Sequence, residues 1–349
     1  MVPMTEPKTR VMRRPSTQSH EEAVATLTID DPRLDMYRPD PDLVKQYVSR
    51  KLPNGQTDVE YLMKVWADKE NVLLVGDTQG GKTMLVNVLA VYIGEAMGLS
   101  RDGKVLPVPV FTLSASNGIT DFDLFGQPTA YTDPMTGQES IVWLPGLVDI
   151  AARVGGLLYL DEVNMMPERV TSSLHPVADY RRSFVNRNKA VKVPNDGFMP
   201  EAVKVTDDLW IVGTMNPNYR GAGALNEAFA NRFRTLDWQY DPTVEHKLIP
   251  NEAIRTLGDA LRQARATGHI RTPVGTAALM RLDSDVHRDG VDMALFVLRS
   301  MFTADEKLVV DEIIESRSFK ALIANAAAGR HPLTGSGEGF ASGDEESPF

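Results

Sequence analysis

Short apolar runs alternate with stretches of helical period along the middle of this 349-residue chain. Runs of strand character fall at 71–76, 107–114, 156–161, 208–214 and 234–238. Between them, a helix near 58–69 places Val59, Leu62, Met63 and Trp66 on one face, and Met84, Leu85, Val88, Leu89 and Tyr92 mark another. Alternation of this kind predicts an α/β fold with a five-stranded parallel sheet covered by helices on both faces. After Asp241-Pro242 the pattern becomes wholly helical. Ala253, Ile254, Leu257, Ala260, Leu261 and Ala264 form a stripe that Gly268 ends. Pro273 is expected to open the next helix, with Thr272 as its cap, and two more are expected near 291–302 and 304–327. The expected organisation is an arm over residues 1–36, a large α/β domain over 37–240, a small helical lid over 241–328 and a tail over 329–349. Arm and tail are rich in Pro, Ser, Thr, Gly and charge and are expected to be disordered.

The first strand runs into Gly76-Asp77-Thr78-Gln79-Gly80-Gly81-Lys82-Thr83. A Gly-x-x-x-x-Gly-Lys-Thr stretch between a strand and a helix is the Walker A pattern. Such a loop turns successive backbone N–H groups inward around a nucleotide's phosphates, and glycine allows both the positive φ and the close approach. Lys82 is expected on the β- and γ-phosphates and Thr83 on Mg²⁺. The helix that begins at Met84 aims its N-terminal dipole at the same anion. A fortuitous strand-to-helix turn is the plainer alternative, but the flanking strand and helix supply the context the motif needs. Residues 76–84 are therefore the candidate nucleotide-binding segment.

Composition narrows the partners. A net charge of −10 argues against a surface generally coated by nucleic acid. Cysteine is absent, which excludes disulfides and thiolate metal sites and fits a cytosolic protein. No run approaches the roughly 18 apolar residues of a membrane span. Arg13-Arg14 is followed by Pro-Ser-Thr-Gln-Ser-His rather than an apolar core, so no export signal is expected. The six histidines are scattered and suggest no zinc site.

A later strand, Gly156-Leu157-Leu158-Tyr159-Leu160, ends in Asp161-Glu162. Two acids at the end of a buried strand are costly unless something positive sits nearby. In a P-loop ATPase the first acid holds Mg²⁺ and the second polarises the attacking water. A strand end turning into solvent is the alternative. A further strand leads into Met215-Asn216-Pro217, and the Asn216 amide, which both donates and accepts, suits orientation of that water. It could equally be a turn residue before proline. Arg232, in Ala230-Asn231-Arg232-Phe233-Arg234, could pair with surface acids or reach the γ-phosphate of a neighbouring subunit.

In this order the motifs carry a resemblance. Walker A, "DLFG" at 123–126, "WLPG" at 143–146, "LYLDEV" at 158–163, "GTMNP" at 213–217 and "NRF" at 231–233 resemble the MoxR-type AAA+ ATPases. "HPVADYRR" at 175–182 and "GQTDVEYL" at 55–62 are most similar to the CbbQ/NorQ branch. The resemblance covers about residues 37–300. It implies an AAA+ P-loop fold and a homo-oligomer, a hexameric ring with nucleotide between subunits. It also implies ATP and Mg²⁺ as cofactors, Arg232 as an arginine finger with Arg234 as fallback, and a hairpin at Thr129–Trp143. It further implies a client or adaptor protein that often carries a von Willebrand factor A-type domain. Where the family's lid presents an arginine, this chain has Ala277, so Arg281, one helical turn on, or Arg271 is expected to substitute.

The reading is an ATP-hydrolysing remodelling ATPase, chaperone or activase, cytoplasmic and without a membrane partner. No Asn-Lys-x-Asp tetrapeptide occurs, so ATP is expected rather than GTP. Two alternatives stand beside it. One is a nucleic-acid motor or loader, for which Arg181, Arg182, Arg187, Lys189 and Lys192 form a candidate basic hairpin. The other is an ATP-binding assembly scaffold with little turnover.

Overall fold

The computed structural model describes residues 27–194, 197–217 and 225–328. The greater part of the expected arm and all of the expected tail lie outside the described residues. The chain divides into two compact units between Gln239 and Tyr240.

The first unit is built on strands β1 (Asn71–Val75), β2 (Val110–Ser114), β3 (Gly156–Asp161), β4 (Leu209–Met215) and β5 (Phe233–Asp237). They form one parallel sheet in the order β5-β1-β4-β3-β2. Successive residues feed opposite faces, as strand geometry requires. Leu73, Leu158, Leu160 and Ile211 enter one buried cluster with Phe111, Val148 and Leu174. Val72, Leu74, Leu157 and Val212 enter the other, with Leu85, Val88 and Leu89. Burial on both faces is why the central strands β1, β3 and β4 read as nearly continuous apolar runs rather than alternating ones. Around them lie α1 (Asp58–Ala67), α2 (Lys82–Ala96), α3 (Leu147–Val154), α4 (Glu168–Ala178) and the single turn α5 (Glu227–Ala230). Helix α1 opens on a full capping box between Thr57 and Glu60.

Besides a short antiparallel pair of Ser100–Arg101 with Lys104–Val105, two longer antiparallel hairpins interrupt this core. Gln127–Thr132 pairs with Glu139–Leu144, where the sequence predicts a hairpin. Asp133 accepts the Met135 N–H and closes its turn. Ser183–Val193 pairs with Gly197–Lys204, with a register shift between Asn186 and Ala190.

The expected arm boundary at residue 36 falls inside an ordered segment. Pro32–Tyr37 is a short 3₁₀ helix, and Leu34 is buried in the sheet's cluster. Apolar residues here are too sparse to show a period, but Leu34 and Tyr37 reach the core and Arg101 pairs with Asp35.

The second unit is helical: α6 (Pro242–Leu248), α7 (Glu252–Ala266), α8 (Thr276–Asp289), α9 (Val291–Arg299), α10 (Ala304–Ser316) and α11 (Phe319–Ala328). Two expectations are corrected. The helix expected over 304–327 is broken at Arg317-Ser318, where Ser318 takes a φ of 52°. Thr272 does not cap α8, which begins at Thr276 after Gly275. Instead the Arg271 and Thr272 N–H groups and the Thr272 hydroxyl all donate to the buried carboxylate of Glu306. Glu306 also accepts from Thr303 at the head of α10. Burial pushes its pKa up, but these donors outweigh burial and hold it down to about 2.

Candidate functional site

The sheet order places the ends of β1, β4 and β3 side by side, and three of the candidate motifs leave from that edge. Residues 76–81 leave β1, Asn216 leaves β4 and Glu162 leaves β3. In an open parallel sheet this carboxyl-end edge is where ligands bind.

The loop between Val75 and Lys82 is fixed from behind. Gly76 donates to the Met215 carbonyl at 2.9 Å, and the Trp238 N–H donates to the Val75 carbonyl at 2.6 Å. A Cβ at Gly76 would overlap the Trp238 carbonyl. Glycine is required there by contact. At Gly81 the requirement is conformational, since φ is 82° with open space around it. Gln79 also takes the left-handed conformation, with φ 60°. Arg50 stacks on Trp238 at 4.0 Å and donates to the Gly80 carbonyl at 2.6 Å. The Trp238 indole donates to the same carbonyl at 3.0 Å. A cation and an indole thus hold one loop carbonyl outward, which favours N–H groups facing in.

Lys82 opens α2, and its ammonium donates to the carbonyls of Gly76 and Asp77 at 2.7 and 2.6 Å. Burial lowers its pKa, against the pull of Asp161, Asp77 and Glu162. The charge therefore sits at the mouth of the loop, opposite the acids of β3. Thr83 and Met84 follow in the first turn of α2, a fifteen-residue helix whose N-terminus faces the loop.

Asp161 ends β3 and is bonded through Oδ1 to two buried hydroxyls. Tyr159 donates at 2.7 Å and Thr214 of β4 donates at 2.7 Å. Tyr159 also meets the Thr83 hydroxyl at 3.1 Å. Glu162 follows with φ 53° and ψ 47°, and its N–H donates to the Thr214 hydroxyl at 3.1 Å. Asn216 is buried, and its carbonyl accepts from the Asn164 amide at 3.0 Å. The structure thus brings Lys82, Thr83, Asp161, Glu162 and Asn216 to one edge. Thr83 and Asp161 offer oxygen donors, the hard set that suits Mg²⁺ beside phosphate oxygens and water. Among the described residues no group of three or more His, Cys, Asp or Glu side chains is placed to hold a metal unaided.

Arg232 lies elsewhere. It precedes β5, whose Phe233 pairs with Asn71 at the start of β1. Its own loop follows the other end of that strand, about 13 Å away along the backbone. The guanidinium meets Asp179 at 3.3 Å and also donates to the Ala228 carbonyl, while its buried Nε has no partner among the described residues. Arg181 shares Asp179 at 2.6 Å. Arg234 pairs with Glu70 at 2.5 Å. Asp179, Glu70, Arg232 and Arg234 line a recess of about 650 Å³ with Arg182 and Lys69.

The basic residues of the second hairpin are largely engaged internally. Arg181 is on Asp179, Arg182 donates to the Thr206 and Leu209 carbonyls, and Lys189 pairs with Glu201 at 3.4 Å. In the helical unit, Ala277 and Arg281 lie one turn apart on α8, with Arg281 exposed. Sequence reasoning missed Arg50, Trp238, Tyr159 and Thr214. Only Tyr159, a phenol inside an otherwise aliphatic run, left a visible signal.

A parallel sheet in this order, carrying a phosphate-type loop and an acidic strand end on one edge, defines a P-loop nucleotide-binding domain. The chain belongs to the AAA domain family, dynein-related subfamily, whose model matches residues 71–233. An uncharacterized protein of Staphylococcus haemolyticus is 30% identical over 229 residues, covering 60% of this chain and 78% of that one. The protein CbbQ of Hydrogenophilus thermoluteolus is 27% identical over 240 residues, covering 65% of this chain and 79% of that one. This agrees with the branch the motifs resemble. A solved structure from Cytophaga hutchinsonii, described as a candidate ATPase, covers 90% of this chain and 98% of its own at 16% identity. Its TM-score of 0.36 is too low to bear on the geometry here. No helix among the described residues is long and apolar enough to cross a membrane.

Proposed function

We propose that the chain is an ATPase that hydrolyses ATP between subunits of a homo-oligomeric ring and uses the energy to remodel a partner protein. The observation that carries this reading is the separation within one subunit. Lys82, Asp161, Glu162 and Asn216 share one edge of the sheet, and Arg232 sits at the other. A guanidinium there has no route to its own loop, but it suits a neighbour's nucleotide.

In this reading the N–H groups of residues 76–83 and the Lys82 ammonium bind the phosphates. Thr83 and Asp161 would hold Mg²⁺, which would supply neutralisation of charge on the phosphate oxygens. Glu162 takes a proton from the attacking water, and Asn216 orients that water. Arginine suits the finger because its fork stays charged and faces two oxygens at once. Arg281 is the candidate nucleotide sensor of the helical unit: Arg281→Ala should slow hydrolysis and Arg271→Ala should not.

A client protein is what the motif resemblance implies, and the net charge of −10 argues only against a surface generally coated by nucleic acid. The nucleic-acid alternative is weakened by the internal pairing of Arg181, Arg182 and Lys189, since phosphates would have to compete with those partners. The test is turnover against concentration. ATP hydrolysis per subunit should fall as the oligomer is diluted apart. Constant turnover down to a demonstrated monomer would overturn the ring and the finger together. Under ATP, the Glu162→Gln form should retain a bound partner that the Lys82→Ala form does not.

A further inference from the structure

The side chains behind Asp161 form a chain of hydroxyls whose direction can be worked out. We propose that Tyr159 is a positioning residue that turns the Thr83 hydroxyl so its lone pairs face a magnesium ion. It does so by accepting a hydrogen bond from the Thr83 hydroxyl while donating its own to Asp161. The inference rests on the nucleotide and magnesium reading above.

The direction follows from counting protons. A carboxylate oxygen only accepts, so at 2.7 Å the single phenolic proton of Tyr159 is committed to Asp161 Oδ1. In the 3.1 Å contact with Thr83 the phenol oxygen must then accept, and Thr83 must donate. The two lone pairs of Thr83 Oγ1 are left on the side away from the phenol. Thr214 is fixed in the same sense. Its hydroxyl donates to Asp161 Oδ1 at 2.7 Å and accepts the Glu162 N–H at 3.1 Å. One oxygen of Asp161 thus anchors the first turn of α2, the end of β3 and the end of β4.

The Tyr159 side chain is 1% exposed, so its ring has little freedom and its hydroxyl must find partners inside. Its neighbours Leu157, Leu158 and Leu160 show that the strand needs only apolar bulk at such positions. Tyr159 and Asp161 lie two residues apart on one face of β3, so the pair is set by strand geometry. Phenylalanine would keep the packing and break the relay.

The test is calorimetric binding of ATP to the full chain, with excess EDTA and with saturating Mg²⁺. The wild type should bind more tightly with Mg²⁺. Tyr159→Phe should match the wild type in EDTA and lose about tenfold of the gain that Mg²⁺ brings, the scale of one hydrogen bond to a charged group. Thr83→Ala should lose at least as much, and adding Tyr159→Phe to it should cost little more, because the two act through one contact. A Tyr159→Phe protein with the full wild-type gain overturns the inference. So does an equal loss with and without Mg²⁺, which would mark Tyr159 as packing only. Thermal unfolding in EDTA reports whether the variant is folded. A wild type that binds ATP equally well in EDTA and Mg²⁺ would instead remove the magnesium reading, and this inference with it. A wild type that binds no ATP would remove the nucleotide reading itself.

Discussion

The two ends of the parallel sheet are built differently from the same five strands. At the carboxyl end the backbone does the work. The loop after β1 is glycine-rich, Arg50 and Trp238 hold its Gly80 carbonyl, Lys82 bonds the Gly76 and Asp77 carbonyls, and hydroxyls knit Thr83 to Asp161. At the amino end side chains do the work. Arg182, Arg232 and Arg234 gather around Asp179 and Glu70, held by ion pairs and carbonyl contacts. One end is shaped to surround a polyphosphate, and the other to present positive charge. In the proposed ring, head-to-tail association would set one end of a subunit against the other end of its neighbour, a heterologous contact that closes into rings.

The largest test of this contrast is Arg232→Ala. It should leave ATP affinity unchanged and slow hydrolysis on the order of a thousandfold, as loss of an arginine finger does elsewhere. Mixing it with Lys82→Ala subunits should restore part of the rate, because an intact Arg232 then faces an intact loop. If the mixture stays inactive while both variants assemble, the two ends do not meet. Glu162→Gln acts at the opposite end and should slow single-turnover hydrolysis about a hundredfold with ATP still bound. Near wild-type hydrolysis would remove Glu162 from the role of base.

A smaller effect is expected from the loop glycines, read as stability by denaturant unfolding. Gly76→Ala should cost about 3 kcal/mol because the backbone of Trp238 must move. Gly81→Ala should cost about 1 kcal/mol, through φ alone. Equal costs would contradict the packing of the loop on Trp238. The smallest effect is at Asp179, whose carboxyl the Arg181 guanidinium holds down to about 2, with Arg232 adding to it. Because this lies below the unfolded value near 3.9, its contribution is complete above about pH 4 and is lost as pH falls toward 2. Asp179→Asn should remove that part of the acid sensitivity, no more than about 1 kcal/mol for a partly screened pair.

What the sequence made legible was whatever lay close in the chain. Walker A needs eight consecutive residues and Asp161-Glu162 only two. The three central strands announced themselves because burial on both faces leaves an almost unbroken apolar run. The rest depended on pairs far apart. Gly80 meets Arg50 thirty residues upstream and Trp238 far downstream, and neither shows a period or a motif. Thr272 looked like a cap because its local partners allowed it. Glu306, thirty-four residues on, claims its hydroxyl instead. Ser318 interrupts a helix without proline or glycine, and Phe319 and Ile323 beyond the break are buried in the helical unit's core. Composition alone could not place residues 32–37, where Leu34 outweighs its polar neighbours.

The backbone at Glu162 has a consequence for how this chain tolerates change. Its φ of 53° and ψ of 47° form a conformation that a residue with a Cβ adopts at a cost of about 1–2 kcal/mol. Glycine would sit there comfortably, yet glycine has no carboxylate. Chemistry and stability therefore pull position 162 in opposite directions. Glu162→Gly should melt at a higher temperature than Glu162→Gln, although both lack the carboxylate. Selection for heat resistance alone would erode this position first, trading the acid for a relaxed turn.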